Sequence, residues 1–299
     1  MPEKAKTSVP PGLLVVDKPG GMTSHDVVSR VRKTMRTRKV GHAGTLDPMA
    51  TGVLVLGLER ATKLLGHLAL DTKAYLATIA LGAATTTDDA EGDVLSEVDA
   101  SVVDEDAVRS GIGSLTGEIQ QVPSAVSAVK VNGRRAYERA RSGESVELEA
   151  RPVTVSRFDL LAVRRTGSTT ELDVLVECSS GTYVRALARD LGAQLGVGGH
   201  LGQLRRTRVG PFGIAHARTL EQLEQRPELS LDLDRAVGTA FPRRDVDQRQ
   251  ARALCHGQAV PAAGVDGTYG VFGPDGSALA LVRDEGARAK PVLVLAPAG

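Results

Sequence analysis

A carboxylate, two glycines and a proline stand close together in Gly41-His42-Ala43-Gly44-Thr45-Leu46-Asp47-Pro48. Proline disfavours helix at the residue before it, so the backbone at Asp47 is tightly restricted. The glycines let a substrate approach the chain closely. This segment fits neither a regular helix nor a central strand, and we expect a structured loop. An aspartate held in such a loop can act as a nucleophile, as a base or as a steric post against phosphate. It can also be only an N-cap or turn residue, the commonest fate of Asp-Pro.

Other chemistries leave no trace in the chain. There is no P-loop, dinucleotide fingerprint or HExxH spacing, so neither a cofactor nor a metal is expected. Cys178 and Cys255 lie far apart outside any paired motif and are expected as reduced thiols. No apolar run is long enough to cross a bilayer, and the start of the chain lacks the apolar stretch of a secretory signal. A cytoplasmic protein with no membrane partner is expected. With 299 residues, 41% hydrophobic and 24% charged, the composition is that of an ordinary globular protein of about two domains.

The elements that must position Asp47 follow from local pattern. Residues 13–16 read as a strand ending in the turn cluster Asp17-Lys18-Pro19-Gly20-Gly21. Ser24 is the expected N-cap of a helix with Val27, Val28, Val31 and Met35 on one face. Beyond the loop, 61–69 is expected to be helical and 73–81 a strand. A helix is expected near 105–112, strands at 127–131, 153–163 and 171–178, and a helix over 182–195. Strands and helices alternate irregularly, which favours an α+β fold with a mixed or antiparallel sheet. From about residue 241 the texture becomes a polar helix (243–254) and short strands at 269–272, 278–282 and 292–295. We expect a catalytic domain over 1–240 and a small, mostly β domain over 241–299.

Net charge is only +1, but it is segregated. Residues 1–40 hold nine Lys/Arg against three Asp/Glu, whereas Asp88 to Asp106 hold nine acidic residues and no basic one. Such a split suits one positive face for a polyanion as well as it suits an ordinary solvated basic helix.

The segment from His42 through Leu54 resembles the signature of the TruB family of pseudouridine synthases. The resemblance extends to Leu14 through Ser24, to Lys73-Ala74-Tyr75, to Gly117 through Gln121, and to 127–133 with Ala136-Tyr137 and Ala140-Arg141. It continues through Cys178 to Arg185 and ends at Leu204-Arg205-Arg206-Thr207. Together these cover most of residues 12–213 in the family's order. The resemblance implies a stand-alone enzyme that converts the uridine at position 55 in the tRNA T-loop to pseudouridine. That reaction breaks an N-glycosidic bond and rebuilds it as a C-glycoside, with neither redox change nor donor group. The implied partner is the T-arm of tRNA, and a monomer is expected.

The same resemblance implies roles for individual residues. Asp47 is the catalytic carboxylate; attack at C1′, addition to the base and abstraction of a sugar proton all stay open. Tyr75 stacks on the flipped uracil and is placed to take part in proton transfer at C5. Arg185 is the ion-pair partner of Asp47; Arg189, one turn further along the same helix face, reads on its own as a surface salt bridge. Tyr183 and the apolar floor Leu204 belong to the substrate site. His42 fills the gap that the flipped base leaves. Lys18 is a structural and electrostatic partner in the N-terminal motif. Asp89 falls where the family contacts RNA, although a run of acids is usually a solvated face. Arg30, Arg32, Lys33, Arg36, Arg38, Lys39, Arg205, Arg206 and Arg208 are candidate phosphate contacts. By position, 241–299 corresponds to a PUA-like RNA-binding module.

The chain departs from the family pattern at Val122 through Val126, where two prolines and an aromatic are usual. Thr86 replaces an acid and Met49 a leucine. Alternative readings are a guide-RNA-dependent synthase subunit and a non-catalytic RNA chaperone.

Overall fold

A computed structural model describes residues 9–68, 72–124, 130–131, 134–135 and 148–298, with backbone only at 130, 131, 134 and 135. The chain divides into two compact units: Met1–Pro48 with Gly52–Leu70 and Gly210–Gly299, and Met49–Thr51 with Asp71–Val209.

In the first unit the apolar run expected near the start is β1 (Gly12–Lys18), buried along nearly its whole length. The helix α1 (Ser24–Thr34) follows. Its N-cap is Thr23 rather than Ser24, because Asp26 stands at the position that completes a capping box with Thr23. Next come β2 (Val40–Ala43) and β3 (Thr51–Leu58). β3 pairs antiparallel with β1 from Gly12↔Leu58 to Lys18↔Gly52, and β2 pairs with β3 from Val40↔Leu58 to Ala43↔Val55. The expectation of a loop from Gly41 therefore holds only beyond Ala43. Gly41 is tolerated in β2 because that strand is paired here on β3 as a short edge element. Val27, Val28 and Val31 of α1, with its C-cap Met35, pack on Leu14, Val16, Leu54 and Leu56. The helix expected over 61–69 is a 3-10 helix, Glu59–Gly66.

The second unit runs through β4 (Thr72–Leu81), β5 (Ala83–Thr85), β6 (Val94–Glu97), α2 (Glu105–Ser114) and β7 (Gly117–Gln121). The short strands β8 (Lys130–Val131) and β9 (Arg134–Arg135) follow, then β10 (Arg151–Thr166), β11 (Thr169–Ser179), α3 (Val184–Gln194) and β12 (Gly199–Val209). Of the strand expected at 127–131, residues 127–129 lie outside the described residues. The order β12-β4-β11-β10-β7 is antiparallel throughout. On α3, Val184, Leu187, Ala188 and Leu191 are buried as the helical spacing requires.

The chain then re-enters the first unit through β13 (Phe212–Gly213), α4 (Leu220–Gln225), β14 (Leu231–Asp232) and α5 (Leu233–Ala240). β14 pairs with β1. Beyond these lie β15 (Arg243–Asp245), α6 (Gln248–Cys255), β16 (Val260–Pro261), β17 (Thr268–Phe272), β18 (Ala278–Glu285) and β19 (Arg288–Val294), with sheet order β15-β17-β18-β19-β16. The helix expected from 243 starts later. Asp247 caps it by accepting from the Gln250 amide at 2.8 Å, and Arg243–Asp245 instead pairs parallel with β17. Tyr269, Val271, Ala280, Val282 and Leu254 form the core of this sheet.

Candidate active site

Asp47 is half-buried, and both of its chain neighbours are anchored. Gly44, with φ of +73°, turns the chain out of β2 ahead of it. Ser24, the first residue of α1, is buried; its hydroxyl accepts from the Leu46 amide at 3.0 Å and donates to the Leu46 carbonyl at 3.2 Å. On the other side the Pro48 carbonyl accepts from the Gly21 amide at 2.9 Å and from Lys18 Nζ at 3.1 Å. Lys18 is fully buried, and its ammonium also reaches the carbonyls of Pro19 (2.8 Å) and Met22 (2.7 Å). A buried ammonium needs its protons satisfied, and three carbonyls do this. The Lys-Pro-x-Gly-x-Thr-Ser motif thus works as a clamp on the backbone either side of Asp47. His42 stands on β2 opposite Leu56, its ring centroid 5.9 Å from that of His25 with the planes at 82°.

The second unit carries the other candidate residues. Tyr75 lies on β4 with 7% exposure, and its cross-strand neighbours are Val176 and Arg206. Leu204, also buried, is paired with Ala77 two residues further along β4. A groove of about 560 Å³ is lined in part by Leu76, Thr78, Gln203 and Arg205. Strand alternation puts Leu76 and Thr78 on the face of β4 opposite Tyr75; Ala77 and Leu204 line the groove as well, and Tyr75 does not.

Arg185, in the first turn of α3, has a side chain only 5% exposed. Its Nη1 donates to the Thr87 carbonyl at 2.9 Å and to Asp89 Oδ2 at 3.3 Å. Asp89 is therefore not on a solvated face: it is buried, and its Oδ1 accepts from the Glu91 amide at 3.1 Å and from the Thr87 hydroxyl. The acidic run turns inward at this point because Arg185 supplies a buried cation for it. Arg189 is half-buried and does more than bridge at the surface. It donates to Asp88 (3.1 Å), to Asp190 (2.9 Å) and to the Val122 carbonyl (2.8 Å). Burial holds the pKa of the Asp190 carboxyl above its ordinary value, and Arg189 offsets this only in part.

Tyr183 is the N-cap of α3. Its amide donates to Gln121 Oε1 at 2.8 Å, and its carbonyl accepts from Gln121 Nε2 at 3.1 Å. Nothing in the sequence singles out Gln121 as the partner of Tyr183. Its only signal was its place at the end of a matched motif, since nothing local shows what a buried amide at a strand end will bond.

The candidate phosphate contacts divide. Arg206 is 1% exposed and is corrected: it shares the Tyr75 face of the sheet and cannot meet RNA at the surface. Arg30 pairs with Glu224 and Glu221, Lys39 with Glu59 and Arg208 with Glu177, while Arg32 donates to the Val40 carbonyl. Lys33, Arg36 and Arg38 are exposed, and among the described residues none has a carboxylate within 4.0 Å. Also among the described residues, no cluster of His, Cys, Asp or Glu is placed to hold a metal, and no helix is long and apolar enough to cross a membrane.

Comparison with known proteins places this arrangement in a family. Residues 32–184 match the TruB family pseudouridylate synthase N-terminal domain. Residues 185–236 match the tRNA pseudouridylate synthase B C-terminal domain, and 241–296 the tRNA pseudouridine synthase II C-terminal region. A tRNA pseudouridine synthase B of Nocardia farcinica is 64% identical over 96% of this chain and 94% of its own length. The protein of the same name in Rhodococcus jostii is 61% identical over 96% and 94%. That of Mycobacterium tuberculosis H37Rv is 57% identical over 96% and 97%. Among solved structures, a Cbf5-Nop10-Gar1 complex contains a chain with TM-score 0.72 and 28% identity, covering 96% of this chain and 85% of that one. An H/ACA RNP bound to a substrate RNA containing 2′-deoxyuridine contains another, with TM-score 0.71, 27% identity and the same coverage. Family models that together cover most of the chain and sequence identity of 57–64% along nearly its whole length converge, and the chain belongs to the TruB family of pseudouridine synthases.

Proposed function

We propose that this isomerase converts uridine 55 in the T-loop of tRNA to pseudouridine, without guide RNA or cofactor, in the cytoplasm. The observation that carries this reading is the clamp of Lys18 and Ser24 on the residues flanking Asp47. A carboxylate whose backbone is fixed on both sides is held in one direction, which is what positioning a reacting group against a nucleotide requires. The names of relatives 57–64% identical to this chain support tRNA as the substrate.

In this reading Asp47 is the carboxylate that acts on the target nucleotide. Tyr75 stacks on the uracil and takes part in the proton transfer at C5. Arg185 supplies the buried cation of the site, its direction set by Thr87 and Asp89. Tyr183 and Leu204 bound the base. His42 occupies the stack that the flipped base vacates. Lys33, Arg36 and Arg38 meet phosphates, which orient the RNA without reading its sequence. Asp89 acts on RNA through Arg185. Residues 241–299, with their own five-stranded sheet, form a PUA-like RNA-binding module, and 1–240 the catalytic domain.

The likeness to chains of H/ACA particles supports guide-RNA dependence as a second reading, though at 27–28% identity rather than 57–64%. One experiment separates them. An unguided tRNA transcript tritiated at uracil C5 is incubated with wild-type protein and with Asp47→Ala. Tritium release by the wild type alone, mapped to the T-loop uridine, is the expected result. Tight binding without release rejects the stand-alone reading and leaves a guide-dependent subunit or a chaperone.

A further inference from the structure

We propose that Gln121 is a positioning residue for the isomerisation, setting the first turn of α3 and with it Tyr183 and Arg185; this rests on the functional reading above.

The first amides of a helix have no partner within it and need one from outside. Tyr183, the N-cap of α3, makes no side-chain capping hydrogen bond. In the turn before it Gly181 sits at φ +91°, and the Thr182 amide reaches the Ser179 carbonyl at 3.4 Å. Gln121 holds the end of this turn through two hydrogen bonds. A primary amide carries a donor and an acceptor in one plane, and here both engage the same residue: Oε1 takes the Tyr183 N–H at 2.8 Å and Nε2 donates to the Tyr183 carbonyl at 3.1 Å. Gln121 is 1% exposed, so water has little access to replace either bond.

The next residue adds a second hold on the same helix, since the Val122 carbonyl accepts from Arg189 at 2.8 Å. Residues 87–89 grip the helix from another segment, through Arg185 and Arg189. The arginines of α3 are thus oriented by 87–89, while the start of the helix is fixed by Gln121. Without the amide, Leu187 and Leu191 still bury α3. Its first turn, however, can fray and shift the arginine two residues on. Displacement of about 1 Å suffices to cost a reacting group on the order of 100-fold. The chemical step therefore suffers more than RNA binding, which is spread over many contacts.

The test uses the full chain and the C5-tritiated tRNA transcript, measuring single-turnover rate at saturating protein, transcript Kd by filter binding, and Tm. For Gln121→Ala the single-turnover rate falls at least about tenfold while Kd stays within about threefold. In Gln121→Glu the carboxylate keeps the acceptor for the Tyr183 amide and donates only when protonated. Its rate relative to wild type therefore recovers as pH is lowered, a profile that a merely structural role does not produce. An unchanged saturating rate with only a lowered Tm overturns the inference. So does a parallel loss of rate and affinity, or a Glu variant whose pH profile follows the wild type. If wild type releases no tritium, or Asp47→Asn releases as much as wild type, the functional reading falls and this inference with it. A failure confined to the Gln121 comparison overturns the inference alone.

Discussion

The guanidinium of Arg185 bridges the Thr87 carbonyl at 2.9 Å and the Asp89 carboxylate at 3.3 Å, with both side chains almost wholly buried. Burying two charges costs desolvation that their attraction scarcely recovers, so such a pair is poor evidence of a stabilising device. Its value is directional: a guanidinium held by a carbonyl and a carboxylate has one orientation. Asp89→Ala leaves that cation without its buried carboxylate. We expect a stability loss of about 3 kcal/mol and an activity loss on the order of 100-fold. Urea midpoints and single-turnover tritium release read the two effects. Wild-type activity in a folded Asp89→Ala protein would remove Asp89 from the site.

Lys18 makes a prediction of a different kind, because its ammonium touches carbonyls on both the turn after β1 and the loop after Asp47. Lys18→Met keeps most of the volume and removes the donors, leaving the Pro19 and Met22 carbonyls short of this partner while the Pro48 carbonyl keeps the Gly21 amide. A buried acceptor left unmatched costs about 1–3 kcal/mol. The variant is expected to unfold at lower urea and to lose isomerisation more than transcript binding, since the Asp47 loop loosens. Equal loss of binding and rate would argue that Lys18 supports the whole unit rather than that loop.

What was legible in the sequence was local. Asp47-Pro48 announced a constrained carboxylate, and apolar spacing found α1, β4 and α3 with small boundary errors. Relations across the chain were not legible. Gln121 meets Tyr183 from 62 residues away, and Arg185 meets Asp89 from 96. No periodicity encodes which distant group a buried side chain will face. Arg206 shows the same limit: in Leu204-Arg205-Arg206-Thr207 its charge reads as surface, yet strand alternation turns it to the face of Tyr75. At Thr23 and Ser24 two good caps stood side by side, and Asp26 decided between them. Arg243–Asp245 became a strand only because β17 offered a parallel partner.

Gly192 is fixed by close approach of backbone rather than by its own conformation. A Cβ there would lie 2.2 Å from the Gly199 amide nitrogen and 2.3 Å from the Gly198 carbonyl carbon. Both are backbone atoms, and the amides of Val197 and Gly198 already donate to the Gly192 carbonyl at 3.1 and 3.0 Å. Alanine favours helix over glycine by about 1 kcal/mol, so propensity alone predicts stabilisation. Overpacking against rigid backbone costs about 1–3 kcal/mol or more and wins here. Gly192→Ala is expected to lower the urea midpoint. A raised midpoint would mean that α3 and the start of β12 part without cost.

The two cysteines should differ sharply in reactivity. Cys178 on β11 is 2% exposed, and burial pushes its thiol up to about 11, well above the ordinary value of 9.0. Cys255, at the end of α6, is half-buried. The thiolate is the species that attacks a disulfide reagent. At pH 8 the native protein is therefore expected to titrate one thiol promptly, at Cys255, with Cys178 reacting only after denaturant is added. The same shift has a consequence for stability. A raised folded pKa means the unfolded chain loses the proton first as pH climbs. The contribution of Cys178 is thus intact below 9.0 and lost between there and about 11. Cys178→Ala should flatten that part of the alkaline stability curve while leaving the curve's shape near neutrality unchanged. An equally steep curve in the variant would assign the alkaline loss to other groups.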